Sequence, residues 1–205
     1  MIFDKQKAEE SKKKLKNADL QNADLQEADL SEGILIEACL ENCNLSEADL
    51  CEADISGANL KNARLHRTVL YRCRGKEINF SNAILTQANL VEANLSGANF
   101  THANLMESNI EGANLINTCF KDANLSEVNL TGVFLANANL SDANLTNSEC
   151  IAADFSGCDL SGANLSNAYI NHADLSRANL KSALNLTRDQ IETAFINKET
   201  LLPDS

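Results

Sequence analysis

Tryptophan is absent from this chain, proline occurs once, and aromatic residues make up only 4% of its 205 residues. A core of ordinary globular build leans on large rings, so burial here has to be organised differently. No apolar run approaches the ~20 residues that cross a bilayer, which excludes a membrane helix. The start, Met1-Ile2-Phe3-Asp4-Lys5, lacks the apolar stretch of a secretory signal. No glycine-rich phosphate loop and no nucleophile elbow occurs. The three histidines, His66, His102 and His172, stand apart from cysteines and carboxylates at metal-ligand spacing. These absences predict no enzyme, no cofactor and no metal.

What is present is a period of five. Of the 34 positions taken every fifth residue from Leu15 to Leu180, 32 are Leu, Ile or Phe, and only Gly75 and Cys150 depart. Positions five apart lie roughly 140° apart on a helix, which would spread this set over every face. A strand would throw alternate members to opposite sides. The chain must therefore bend once per repeat. Units such as Ala58-Asn59-Leu60-Lys61-Asn62 show how: Ala and Leu of the extended triplet point in, and Asn or Asp points out. The two residues that follow tolerate turn geometry. The inward position before Leu is small, because two inward side chains per edge crowd a narrow axis. Val128, Val133 and Ile78 exceed that size and are expected to mark irregular coils.

The pattern A-(D/N)-L-x-x, seen at Ala18-Asp19-Leu20, Ala88-Asn89-Leu90 and Ala143-Asn144-Leu145, resembles that of pentapeptide-repeat proteins. The resemblance implies an all-β fold, a right-handed quadrilateral β-helix with four pentapeptides and about 20 residues per coil. That gives about eight to nine coils and a rod about 40 Å long at ~4.8 Å per coil. Leu60, Phe80, Phe100, Phe120 and Leu140 then form one interior column, with the Phe rings packed as core. Cys43, Cys73 and Cys158 take small inward slots and Cys150 a Leu slot, as small hydrophobes. Cys39 and Cys119 share a column but lie four coils apart, about 19 Å, too far to bridge. Together these predict a reducing, cytoplasmic setting.

Charge is the best functional clue. The formal net charge is -12, unevenly spread. Residues 17–60 carry eleven acids and no Lys or Arg, and residues 77–176 carry eleven acids against Lys121 alone. Between them, Lys61, Arg64, Arg67, Arg72, Arg74 and Lys76 form a basic run with no acid, in the most degenerate repeats. Arg64 and Arg74 take the outward Asp/Asn slot. Gly75 takes a Leu slot, predicting an unfilled corner and an altered backbone. Either the arginines simply answer neighbouring acidic coils, or Arg64, Arg67, Arg72, Arg74 and Lys76 form a patch for an acidic partner surface. Direct nucleic-acid binding is opposed by the global field. The acidic tracts serve solubility or mimic DNA. Some members of the family the chain resembles act as DNA mimics that bind DNA gyrase, through projecting loops or dimeric rods. This chain has no loop insertion.

Three segments follow: a charged N-terminal cap or tail (1–14), the repeat rod (15–184), and a C-terminal helical cap and tail (185–205). Lys5 to Leu15 reads as a loose helical cap or a partly disordered stretch. At the other end Thr187 and Gln190 fit a capping box, and Leu186 with Ile191 a hydrophobic staple. A short helix from about Arg188 to Ile196 is expected, with Ile191, Ala194 and Phe195 on one face. Phe195, Leu201 and Leu202 are candidate contacts of the end-to-end homodimer that the resemblance implies. The leading function is a non-catalytic protein-interaction module. The alternatives are a DNA-mimicking modulator of gyrase and a structural spacer.

Overall fold

The structure, a computed structural model, describes residues 5–203. The signal-peptide reading of Met1 to Asp4, and the last two residues of the tail, lie outside the described residues. The chain is a solenoid. From Asp19↔Cys39 to Asn164↔Leu184, each outward residue forms a parallel bridge to the residue 20 positions on. One coil is therefore four pentapeptides, one to a side. Among the described residues no strand extends beyond a single bridging residue, because a turn interrupts the chain every five positions.

Backbone hydrogen bonding explains the repeat. In the unit Ala58–Asn62, the Ala58 N–H donates to Ile55 O across the turn (3.1 Å), Asn59 to Ala38 O in the preceding coil (2.9 Å), and Leu60 to Asn79 O in the next (2.8 Å). Asn62 donates to Ser81 O at 3.0 Å. The remaining donor, Lys61 N–H, is met by the Asn59 side-chain oxygen at 3.2 Å. All five donors of the unit are thus paired, as burial of a backbone demands, and Asn or Asp supplies the fifth acceptor. The second turn residue sits in the left-handed region: Asn62 at φ 58°, Arg67 at 56°, Glu77 at 58°. With the bond back to the preceding Leu carbonyl, this is the geometry of a type II turn. It favours Asn and Gly, and the regular ladder holds even Glu and Arg there.

Inside, the Leu slots are almost wholly buried and Phe80, Phe100 and Phe120 stack as the column required. Their centroids lie 5.0 and 4.6 Å apart with planes inclined by 16° and 3°, close to the ~4.8 Å coil spacing. Oversized residues in the small slot lengthen or lose the turn bond and leave the register intact. The turn bond is 3.3 Å at both Val133 and Ile78, and at Val128 none forms. At Gly75 the expectation fails. A Cβ there would meet Leu95 Cδ2 at 2.7 Å and Ile55 Cγ1 at 3.3 Å, with Ile78 Cγ2 at 3.5 Å. The corner is full, because bulk missing from the Leu slot is supplied by its column neighbours and by Ile78. The backbone is also regular there: Gly75 N–H donates to Asn94 O at 2.8 Å.

Both ends are covered. Helix α1 (Lys5–Glu10) buries Ala8, and a 3-10 turn (Lys12–Lys14) follows. Lys12 O accepts from Ile34 N–H at 2.7 Å, and the Lys12 and Lys13 ammoniums reach Asp29 and Glu32 at 2.8 and 3.1 Å. The N-terminal segment is thus an ordered cap on the first coil. Helix α2 (Arg188–Thr193) carries the full Thr187/Gln190 capping box. It is shorter than expected. Ala194 is extended, and Phe195 leaves the helix to bridge Asp174, as Leu201 bridges Asn179. The open edge of the last coil offers unpaired backbone groups that outweigh further helical turns. Gln190 Nε2 donates to Leu165 O and Ala168 O at 2.9 and 2.8 Å, tying α2 to that coil.

Candidate interaction surface

A coil of 20 residues decides what the charge pattern means in space. Residues ten apart sit on opposite sides, so Arg64 and Arg74 face away from each other. The basic run is a girdle around the rod, and the single patch expected of Arg64, Arg67, Arg72, Arg74 and Lys76 does not form. The girdle divides in two. On one half, Arg72 Nε lies 2.6 Å from Glu92 and its guanidinium 4.8 Å from the Tyr71 ring centroid. Arg74 Nε lies 3.3 Å from Asp54, and Lys76 Nζ 3.7 Å from Glu77. Partial burial pushes the Asp54 carboxyl up, but bonds from Ser56 and Arg74 outweigh it and hold it below its usual range. Here the arginines answer neighbouring acidic coils.

The other half differs. Arg67 donates to Gln87 at 2.9 Å, which in turn donates to Glu107 at 2.7 Å, and His66 Nδ1 lies 2.8 Å from Thr86 Oγ1. Among the described residues Lys61 and Arg64 have no side-chain partner. Beside Arg64, one coil along the same side, Ile84 is 43% exposed. Lys61 and Ile84 were not among the sequence candidates. Reading with a stride of 20 places 84 over 64 and would have found Ile84. The same coil also lacks three of its four Asn/Asp acceptors, at Arg64, Val69 and Arg74, so the turn N–H groups of His66, Tyr71 and Lys76 lose their side-chain acceptors.

Acidic corners flank this coil. Glu27 and Glu47 stack in one corner column with Glu107 and Glu127 further along it, and Glu32 and Glu52 stack in the next, with Arg67 and Arg72 interrupting the two columns. Exposed apolar side chains also ring the C-terminal end: Leu184, Phe195, Ile196, Leu201 and Leu202 are each at least 40% exposed, with Leu184 over Asn164 and Phe195 over Asp174 on opposite sides. Phe195 and Leu201 pair by backbone with the rod and leave their side chains outward; Leu202 adjoins them.

Four cysteine thiols lie in the interior. Burial pushes the Cys43 thiol up to about 11 and the Cys73, Cys150 and Cys158 thiols up to about 12. Among the described residues no group of three or more His, Cys, Asp or Glu could hold a metal ion, and no helix is long and apolar enough to cross a membrane. The clefts are open and superficial. One of about 530 Å³ lies between α2 and the last coils beside Tyr169.

Comparison with known proteins agrees with this geometry. The family model described as pentapeptide repeats matches in eight copies, which together span residues 14–74 and 76–187. The break between them falls at Gly75. Among solved structures, the chain is similar to HetL, a pentapeptide repeat protein involved in heterocyst differentiation regulation from the cyanobacterium Nostoc sp. strain PCC 7120. Identity is 32% over 92% of this chain and 84% of that one, with a TM-score of 0.54. Trypsin-treated QnrB1, a plasmid-mediated fluoroquinolone resistance protein, is 19% identical over 94% of this chain and 86% of that one, with a TM-score of 0.55. That second likeness concerns the fold. No curated protein sequence matches the chain.

Proposed function

The chain belongs to the pentapeptide-repeat family, and from that premise we propose that it is a non-catalytic protein-interaction module, a rigid acidic rod that engages another protein through the unpaired half of its basic girdle. The rod is the right-handed quadrilateral β-helix of the family, which the four-sided coil supports. One observation carries the functional reading: Lys61 and Arg64 stand unpaired beside exposed Ile84, with Arg64 in an outward slot that usually holds the turn-capping Asn or Asp. Retaining such a local weakness without losing register marks a specificity element. Arginine beside an apolar contact suits a carboxylate-bearing protein surface. The similarity to HetL, a protein involved in regulation, supports a regulatory binding role. The free cysteines fit a reducing cytoplasm.

The test compares two charge-matched variants in affinity capture from the native cell. Lys61→Ser/Arg64→Asn should lose a specific partner while the circular-dichroism melt holds. Arg72→Asn/Arg74→Asn, which removes compensated charges, should keep it. Equal retention by both variants sinks the proposal.

A second reading, a DNA-mimicking modulator of DNA gyrase, is favoured by the stacked corner carboxylates. Their repeat of ~4.8 Å per coil is sparser than the one charge per ~1.7 Å of duplex DNA. The ladder runs unbroken from Asp19 to Leu184 with no projecting loop. Unchanged gyrase supercoiling at high protein excess removes this reading. The apolar C-terminal end supports an end-to-end homodimer, which sedimentation of Phe195→Ser/Leu202→Ser against the parent chain would test.

A further inference from the structure

The corner joining the side of Asp29 to the side of Ile34 changes character along the rod. Its second turn residue is Glu32, Glu52, Arg72 and Glu92 in the first coils, then Gly112, Gly132 and Ala152, with His172 closing the column. Long charged side chains give way to a bare column. At Gly132 a Cβ would meet nothing within 4 Å, so the corner is open to solvent, and the notch there is a missing side chain and not a walled groove. Two large apolar side chains flank it. Ile151, 39% exposed, lies over the preceding turn residue, since Gly132 N–H donates to Ile151 O at 2.9 Å. Phe134, 51% exposed, stands just past the corner, bridged to Asn114 on one side and Asp154 on the other. Phe134 and Ile151 occupy positions where neighbouring units carry Asn, Asp, Ser or Thr.

The rim is of one sign. Glu111 lies under Thr131, Glu149 precedes Ile151 on its side, and Asp154 adjoins Phe134. The only cation in residues 77–176 is Lys121, on the diagonally opposite corner. An exposed aromatic and a branched aliphatic around a side-chain-free notch have the make-up of an interface anchor. A second copy brings a net charge of -12 that disfavours this contact everywhere except at its narrow basic girdle, and an anionic membrane is repelled outright. We propose that the Phe134–Gly132–Ile151 corner is a docking site for a basic amphipathic segment of another protein, with apolar anchors seated at the notch and Lys or Arg meeting Glu111, Glu149 and Asp154. The site lies more than two coils beyond the basic girdle and does not depend on it.

The test uses a short, fluorescently labelled peptide of alternating leucine and lysine, with Leu/Glu and Ser/Lys peptides of equal length as controls. Binding is read by anisotropy and its location by hydroxyl-radical footprinting. The expected result is binding of the Leu/Lys peptide with protection at 131–136 and 151–154. Phe134→Asn/Ile151→Ser restores residue types common in the repeat, so it should fold unchanged and weaken binding about tenfold or more. The Leu/Glu and Ser/Lys peptides should bind at least tenfold more weakly than the Leu/Lys peptide. Undiminished binding to the double variant overturns the proposal. So does protection confined to the acidic coils at 17–60, or a Ser/Lys peptide that binds equally well. A parent dimer that the double variant dissociates would show that a second copy occupies the corner, and overturns it too.

Discussion

Gly75 and Ile78 form an exchanged pair: the large slot holds nothing and the small slot holds a branched aliphatic. Taken singly, either reversion should harm the rod. Gly75→Leu drives its first atom to 2.7 Å from Leu95 Cδ2 and 3.3 Å from Ile55 Cγ1, an overpacking that costs about 1–3 kcal/mol. Ile78→Ala empties a fully buried site, which costs about 2–5 kcal/mol. Made together, the two changes nearly conserve volume and restore the repeat's usual large and small residues. They also remove a glycine, worth about 0.5–1 kcal/mol. The double variant should therefore lie within ~1.5 kcal/mol of the parent, where simple addition predicts a loss of about 3–8 kcal/mol. Guanidinium unfolding of the four proteins, followed by circular dichroism, measures the coupling. A double-variant loss that equals the sum of the singles to within ~0.5 kcal/mol would show that the two slots pack independently, and the exchange explanation would fail.

The Phe column gives a second prediction. Phe100→Ala should cost about 1–3 kcal/mol more than Phe155→Ala, because Phe155 is equally buried but has no ring partner among the described residues while Phe100 stacks on two; equal losses would deny the stacking any role. In native protein at pH 8, iodoacetamide should label Cys39, Cys51 and Cys119 and spare Cys43, Cys73, Cys150 and Cys158, whose thiols burial keeps protonated. Mass spectrometry showing a labelled Cys150 before unfolding would contradict the packed core. The Lys12 bond, then those of Ser31, hold the Asp29 carboxyl near 2 against its ordinary 3.8. Because the folded value is depressed, its contribution is complete above 3.8 and is lost as pH falls towards 2. For so exposed a pair it is under about 1 kcal/mol. Protection factors in α1, taken against intrinsic exchange at each pH, should fall up to about fivefold as pH drops through that window, and Asp29→Asn should abolish the step. A step that persists in Asp29→Asn would assign it to another group.

Periodicity made the coil legible because one rule, a large aliphatic at every fifth position, governs all four sides at once. The Thr187/Gln190 box was legible for the same reason: it is local chemistry. What escaped was whatever depends on neighbours 20 residues away. Gly75 reads as a hole until Ile55, Leu95 and Ile78 are set around it. Phe195 reads as helical until the bare edge at Asp174 competes for its backbone. Arg64 and Arg74 read as one patch until half a coil is placed between them. The unpaired pair Lys61 and Arg64, and the notch at Gly132, were hidden because partners one coil away determine which charges are answered and which corners are bare.

The four-sided coil also constrains how such a surface can evolve. Duplicating one pentapeptide keeps every leucine inside, yet it swings everything downstream by a quarter turn and scrambles all the vertical columns. Duplicating four lengthens the rod and leaves its compass bearings untouched. Growth that spares the interior is therefore cheap in fives, whereas growth that spares recognition has to come in twenties.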